Sequence, residues 1–248
     1  MKRDNRLFLF LGIQLILYIA FLYLDIKGDS IALSSVIKFS VIILCLCYVI
    51  FKREDNGGRD LSLVRAALFF TLVSDFIILF LPADYYILGV ISFVIVQQLY
   101  GIRLKGSGNR SKGIPEKEGF LSSLLLRAAL QFAIAIIIFI LLGWLGVIRD
   151  GLLTVTVIYF VGLVYNVIHA IHAAWHLPKD KNKIIFAVGL VMFLLCDINV
   201  GLFNLSGFIT ITGRTSEILV SLASILMWTF YAPSQVLIAI SSDQLRHK

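Results

Sequence analysis

Charge is scarce in this sequence. Of its 248 residues, 15% are Asp, Glu, Lys or Arg, against about 25% in an ordinary soluble protein. With 59% hydrophobic residues and a mean hydropathy of +0.94, that shortage excludes a soluble globule, a coiled coil and a disordered chain. Strand-like alternation is missing too. A membrane β-barrel would show weakly apolar, alternating segments of about ten residues, whereas runs such as 133–145 are unbroken. Cysteine is confined to Cys45, Cys47 and Cys196, an odd number set inside apolar runs, which argues against a disulfide framework. Cys45 and Cys47, two residues apart, point apart on a helix and make no metal pair. There is no Gly-x-Ser-x-Gly elbow and no His-Glu-x-x-His, so neither a serine hydrolase nor a zinc protease is supported. Gly106-Ser-Gly108 followed by Lys112-Gly113 lacks the Gly-Lys-Ser/Thr ending of a phosphate loop.

What is present is an all-α polytopic membrane protein. A hydrocarbon core of about 30 Å takes about 20 apolar residues of helix, and eight stretches qualify: 7–24, 31–51, 62–81, 85–102, 126–148, 152–175, 184–205 and 217–241. They leave no room for a soluble domain, so residues 1–248 read as one integral-membrane domain. The first stretch is too long for a signal peptide and no small-residue cleavage site follows it, so it reads as a retained helix. The net charge of +7 is not a nucleic-acid footprint, because the basic residues lie in short loops and not on one face. With the N-terminus in the cytoplasm, seventeen of the 22 Lys and Arg fall on cytoplasmic segments and only Lys27, Arg149 and Arg214 on outer loops. That bias predicts an N-in, C-in topology in a cell membrane. Trp144 and Trp175 fall at helix ends, as interfacial aromatics do. The Gly- and Ser-rich segment 103–119 reads as a flexible cytoplasmic linker. Leu68 to Asp75 and Leu190 to Asp197 echo one another about half a chain apart, which suggests two four-helix halves in a parallel repeat.

Ionisable residues inside hydrocarbon are expensive and each calls for a reason. Lys38 in helix 2, Asp75 in helix 3 and Asp197 in helix 7 stand well inside the apolar stretches. At about 1.5 Å per residue, they and Tyr159 of helix 6 lie roughly 9–12 Å below the outer helix ends, in one layer. Lys38 could neutralise one aspartate, leaving the other carboxyl over. A carboxyl left over beside a neutralised one is the arrangement general acid–base chemistry wants, with one acid and one base. Deeper come Gln97 and Tyr100 in helix 4, Asn166 in helix 6 and Tyr231, Ser234 and Gln235 in helix 8. Each could glue helices together, and together they could line a polar cavity, with Pro233 loosening the backbone beside them. Arg127, at the start of helix 5, is expected to snorkel to the surface. His169, His172 and His176 share one face of helix 6. They read as interfacial histidines rather than the three-ligand site zinc catalysis needs, so no metal or cofactor is expected.

Phe69-Phe-Thr-Leu-Val-Ser-Asp75 with Phe93-x-x-x-Gln97-x-x-Tyr100 resembles the first signature of the YhhN-like lysoplasmalogenases. Gly189 through Cys196-Asp197 resembles their second aspartate motif, and Tyr231-x-x-x-Gln235 their final-helix motif. Lys38 resembles a lysine of their second helix, while Tyr159 and Asn166 fall near a tyrosine-containing segment of the sixth. The resemblance covers nearly the whole chain. Ser74 stands where the family usually has glycine, Gln97 where it often has histidine, Cys196 where serine is common and Phe39 where proline is common. The resemblance implies hydrolysis of the vinyl-ether bond of a lysoplasmalogen, with Asp75 and Asp197 as the acid–base pair. Lys38, Gln97, Tyr100, Tyr159, Asn166, Tyr231 and Gln235 would contact substrate and water. The implied partners are a lysophospholipid substrate and membrane lipid, without nucleic acid. A small proton-coupled transporter using the same carboxylates is the alternative, and a non-enzymatic membrane partner held by polar glue is a third reading.

Overall fold

The computed structural model describes residues 2–28, 30–52, 58–112, 120–144, 146, 150–204 and 214–242. Among them there is no strand. The elements are α1 (Lys2–Lys27), α2 (Ile31–Ile50), α3 (Gly58–Phe80), a 3-10 turn at Ala83–Tyr85, α4 (Tyr86–Lys112), α5 (Phe120–Trp144), α6 (Gly151–His176), α7 (Lys181–Asn204) and α8 (Arg214–Ile240). All eight α-helices are long and apolar enough to cross a membrane. Apolar side chains such as Leu15, Ile16, Leu126 and Ile136 remain exposed, which suits helices facing lipid tails. Trp144 and Trp175 are 84% and 82% exposed at the ends of their helices.

Local chemistry sets several helix ends. Gly28 takes φ +70 just past α1, a left-handed conformation that glycine adopts without a Cβ penalty. The Ser30 hydroxyl accepts from the Leu33 N–H to cap α2, and the Asp150 carboxylate accepts from the Leu153 N–H to cap α6. Several helices run longer than the sequence expectation, and two of the extensions bear on the site. α1 continues past residue 24, so Asp25 belongs to a helix. The segment read as a flexible linker, 103–119, is helical through Lys112; residues 113–119 lie outside the described residues, as do 145, 147, 148 and 205 of the expected helices.

The reason for the longer α4 is a clamp. Arg103 makes two bonds to the Asp60 carboxylate, at 2.8 and 3.1 Å, and two to the Ser241 hydroxyl and carbonyl, at 2.8 and 3.0 Å. Its guanidinium also lies 4.3 Å from the Phe186 ring centre. A planar fork donating to a carboxylate on one side and a helix end on the other is a use particular to arginine, and it ties α3, α4 and α8 at one end.

Packing runs α2–α3–α4–α6–α7–α8 and back to α2, closing a ring of six helices. α1 lies outside it against α2 and α8, and α5 lies against α6. Exchanging α1–α4 with α5–α8 turns the α2–α8 contact into the α6–α4 contact, the adjacency a parallel two-half arrangement requires. Close approaches fasten the ring. A Cβ on Gly189 of α7 would come within 3.2 Å of the Ser234 carbonyl and of Leu237 in α8. Pro233 removes an N–H from α8 and so leaves the Thr229 carbonyl, four residues back, without its helical donor. The Tyr18 hydroxyl of α1 donates to that oxygen at 3.2 Å. The helix interruption thus becomes an attachment point for α1.

Candidate functional site

Inside the ring two carboxylates each meet a tyrosine from another helix. Asp75 of α3 is buried, and its two oxygens accept from the Tyr231 hydroxyl of α8 at 2.9 and 2.8 Å. Asp197 of α7 is half-buried, and its Oδ2 accepts from the Tyr159 hydroxyl of α6. Among the described residues neither carboxylate is paired with a lysine or arginine. Cys196, beside Asp197 in sequence, lies near enough to both aspartates to interact with each.

Aromatic rings join the two halves of the site. Phe93 of α4 lies 5.6 Å from the Tyr159 ring, 5.7 Å from Phe193 and 6.4 Å from Tyr231, and Phe193 lies 5.5 Å from Tyr231. Both tyrosines therefore rest on one apolar cluster while their hydroxyls hold opposite carboxylates. Ser74, in the place where the resemblance expects glycine, donates to the Gly89 carbonyl of α4 at 2.7 Å. Its hydroxyl pins α3 to α4 one residue from Asp75.

The pair is not symmetric. Asp75 takes its tyrosine from α8 and Asp197 from α6, which are not the helices that an exchange of halves would relate. The two carboxyls sit in different surroundings although their sequence motifs echo one another.

Lys38 is buried but meets neither of these aspartates. Its ammonium pairs with Asp25 of α1, at 2.8 Å to one oxygen and 3.0 Å to the other, and the Ser34 hydroxyl also donates to Asp25. The expectation that Lys38 neutralises Asp75 or Asp197 is corrected by the extra turn of α1, which brings Asp25 within reach. Lys38 also lies 4.9 Å from the Trp228 ring centre, and Trp228 meets Tyr231 edge-on at 5.2 Å. Lys38 thus reaches the Asp75 site only through two aromatic rings.

A second polar cluster lies farther along the bundle. The Asn166 amide of α6 donates to both the side-chain and backbone oxygens of Gln97, at 2.8 Å each. Arg127 of α5 joins it, donating to the Gln97 carbonyl at 3.1 Å and to the Asn166 side-chain oxygen at 2.8 Å. Snorkelling is thereby overturned for Arg127: it is buried and turns inward, because Gly101 of α4 leaves its guanidinium a seat. A Cβ there would fall 1.0 Å from Arg127 Nη1.

The remaining expected residues stay apart from both clusters' hydrogen bonds. Tyr100 is fully buried against Phe186. Gln235 is fully buried and donates to Ser234 at 3.3 Å. His169 stacks on Tyr165 at 4.3 Å, while His172 and His176 face one another at 4.1 Å. Among the described residues no three His, Cys, Asp or Glu side chains gather as metal ligands. The sequence reading missed Asp25, Gln131, the inward turn of Arg127 and the aromatic cluster. The i, i+4 spacing of Arg127 and Gln131 is the one signal that could have shown the last polar group, since such residues share a helix face.

Residues 33–242 match the family model described as the YhhN family. No curated protein and no solved structure matches the chain.

Proposed function

Because the chain belongs to the YhhN family, we propose that it is an intramembrane hydrolase that cleaves the vinyl-ether bond of lysoplasmalogens, releasing a fatty aldehyde and a glycerophospho-ethanolamine or -choline. The observation that carries this reading is the pair of carboxyl groups, Asp75 and Asp197. They lie among membrane helices without a cation partner among the described residues, and different tyrosines hold them.

A vinyl ether is opened by adding a proton to the alkene carbon remote from oxygen. The resulting oxocarbenium ion is attacked by water at the carbon bearing oxygen, and the hemiacetal then collapses to aldehyde and free alcohol. One water is consumed, and the proton given by the acid is recovered from it. The chemistry asks for one proton donor, one acceptor and negative charge near a developing cation, and for no serine nucleophile. In this reading one aspartic acid protonates the alkene, and the other aspartate takes a proton from the attacking water. Tyr159 and Tyr231 fix the directions of the two carboxyls, and Phe93 and Phe193 keep bulk water from the cation. The substrate's single chain suits a site reached among lipid-facing helices.

The test is incubation of purified protein with a 1-alkenyl lysophospholipid in deuterated water. Fatty aldehyde should appear carrying one solvent deuterium on the carbon next to the carbonyl. Aldehyde without that deuterium would rule out alkene protonation, and no aldehyde from folded protein would rule out the hydrolase.

A further inference from the structure

Among the described residues, the buried polar atoms left without a partner in the cluster around Arg127 are all donors. The Arg127 guanidinium donates to two described acceptors, the Gln97 carbonyl and the Asn166 amide oxygen, both neutral, and lies 5.2 Å from the Tyr165 ring centre. Among the described residues its Nε is buried without a partner, and so are Nε2 of Gln97 and Nε2 of Gln131. Gln97 is 0% and Gln131 3% exposed. These groups face one region. Gln131 lies one turn from Arg127 on the same face of α5, and a Cβ on Gly162 would sit 3.5 Å from Gln97 Cβ and 3.9 Å from Gln131 Nε2. Gln131 Oε1 already accepts from Gln98 at 3.0 Å, which fixes the amide with its donor end toward the others.

Water could accept from the amides, but it would leave the guanidinium charge uncompensated inside the membrane helices, where such a charge is costly. An oxyanion with several acceptor oxygens answers both needs. Arginine with flanking N–H donors is suited to phosphate above all. We infer that Arg127, Gln97 and Gln131 form a binding site for a phosphate group, the phosphodiester of the lysolipid whose reacting end lies at the aspartates. The lipid as the source of the phosphate rests on the hydrolase reading; the anion-binding chemistry does not.

The placement agrees with that substrate. Asn166 stands seven residues from Tyr159 along α6, about 10 Å, and Gln97 stands four residues from Phe93 along α4, about 6 Å. The phosphate would therefore sit one to two turns from the carboxylates, with the glycerol unit spanning the interval and the tail continuing past Phe93 and Phe193. Seated this way, a substrate is measured from its phosphate, and its vinyl ether is brought to a fixed depth in the ring.

The experiment reads thermal stability of detergent-purified protein, so that it needs no turnover. The probes are a saturated alkyl lysophospholipid, which cannot be hydrolysed at a vinyl ether, the corresponding alkylglycerol without phosphate, and inorganic phosphate. The alkyl lysophospholipid should raise the melting temperature of the wild type by several degrees more than the alkylglycerol does. Arg127→Gln and Gln131→Glu should each abolish that difference. The second variant keeps the oxygen that Gln98 uses, leaves the Arg127 bonds to α4 and α6 intact and puts a carboxylate where the phosphate would lie. It carries the test if Arg127→Gln fails to fold. If inorganic phosphate reproduces the shift, the phosphate site stands with a free anion as its source; if it does not, the lipid is the source. Equal effects of the two lipids on wild type, including none, overturn the inference, as does a phosphate-dependent shift that survives in Gln131→Glu. Aldehyde release without the shift would keep the hydrolase and discard the site, and the shift without aldehyde would do the reverse.

Discussion

Single hydroxyl groups carry much of the account. Tyr231 and Tyr159 donate to the two carboxylates. Replacing either with Phe should lower aldehyde production by roughly a hundred- to a thousand-fold, the range for losing one hydrogen-bond donor at an active centre, while the protein remains folded. Loss confined to stability, with turnover per folded molecule unchanged, would make the tyrosines structural. Asp25 is different in kind. Its removal leaves the buried Lys38 ammonium unpaired, so Asp25→Asn should cost about 3 kcal/mol of stability. Asp25→Asn with Lys38→Met should recover most of it, as read by thermal denaturation in detergent. Lys38 and both aspartates were legible as intramembrane charges because long apolar runs make a lone charge conspicuous. Which charge meets which was not, since Asp25 lies at the frayed end of an apolar run and its pairing depends on whether α1 adds one more turn. Arg127 was misread for a related reason. A residue near a helix start can point either way along its axis, and the direction here is decided by Gly101 on another helix.

Helix-to-helix fastening is decided by backbone groups. Pro233 and Tyr18 form one device, so their substitutions should not add. Tyr18→Phe should cost about 1 kcal/mol in the wild type, the usual value of a hydrogen bond. It should cost close to nothing in a Pro233→Ala background, where the restored N–H satisfies the Thr229 carbonyl. A double-mutant cycle on thermal stability measures this directly, and additive losses would mean that the tyrosine does not serve that carbonyl. Gly189→Ala would press a methyl against the Ser234 carbonyl, and overpacking of this kind costs about 1–3 kcal/mol. Since α8 carries Tyr231, the same change should lower turnover along with stability. The eight helices themselves were plain from apolar run length. The contacts between them, such as the α2–α8 and α4–α6 closures, depend on which face each helix turns inward, and weakly amphipathic membrane helices do not reveal that face.

At the scale of the whole molecule, a ring of six helices with one helix outside each half puts two inequivalent carboxyls at a shared aromatic centre. The echo between the Asp75 and Asp197 motifs was visible in sequence. The asymmetry between the two carboxyls was not, because it comes from tyrosines on α6 and α8 that break the repeat. Eight spans put both termini on one side, and from the basic bias of the loops we propose that this side is the cytoplasmic one. Cysteines introduced at Lys105 and Lys179 should label from the cytoplasmic face and one at Asp84 from the other; the reverse pattern would invert the topology. The most direct test of the central claim is aldehyde release from a 1-alkenyl lysophospholipid by purified wild type, Asp75→Asn and Asp197→Asn, side by side and matched for folded protein. Aldehyde is expected from the wild type and none above background from either variant. Wild-type turnover in both variants would contradict it.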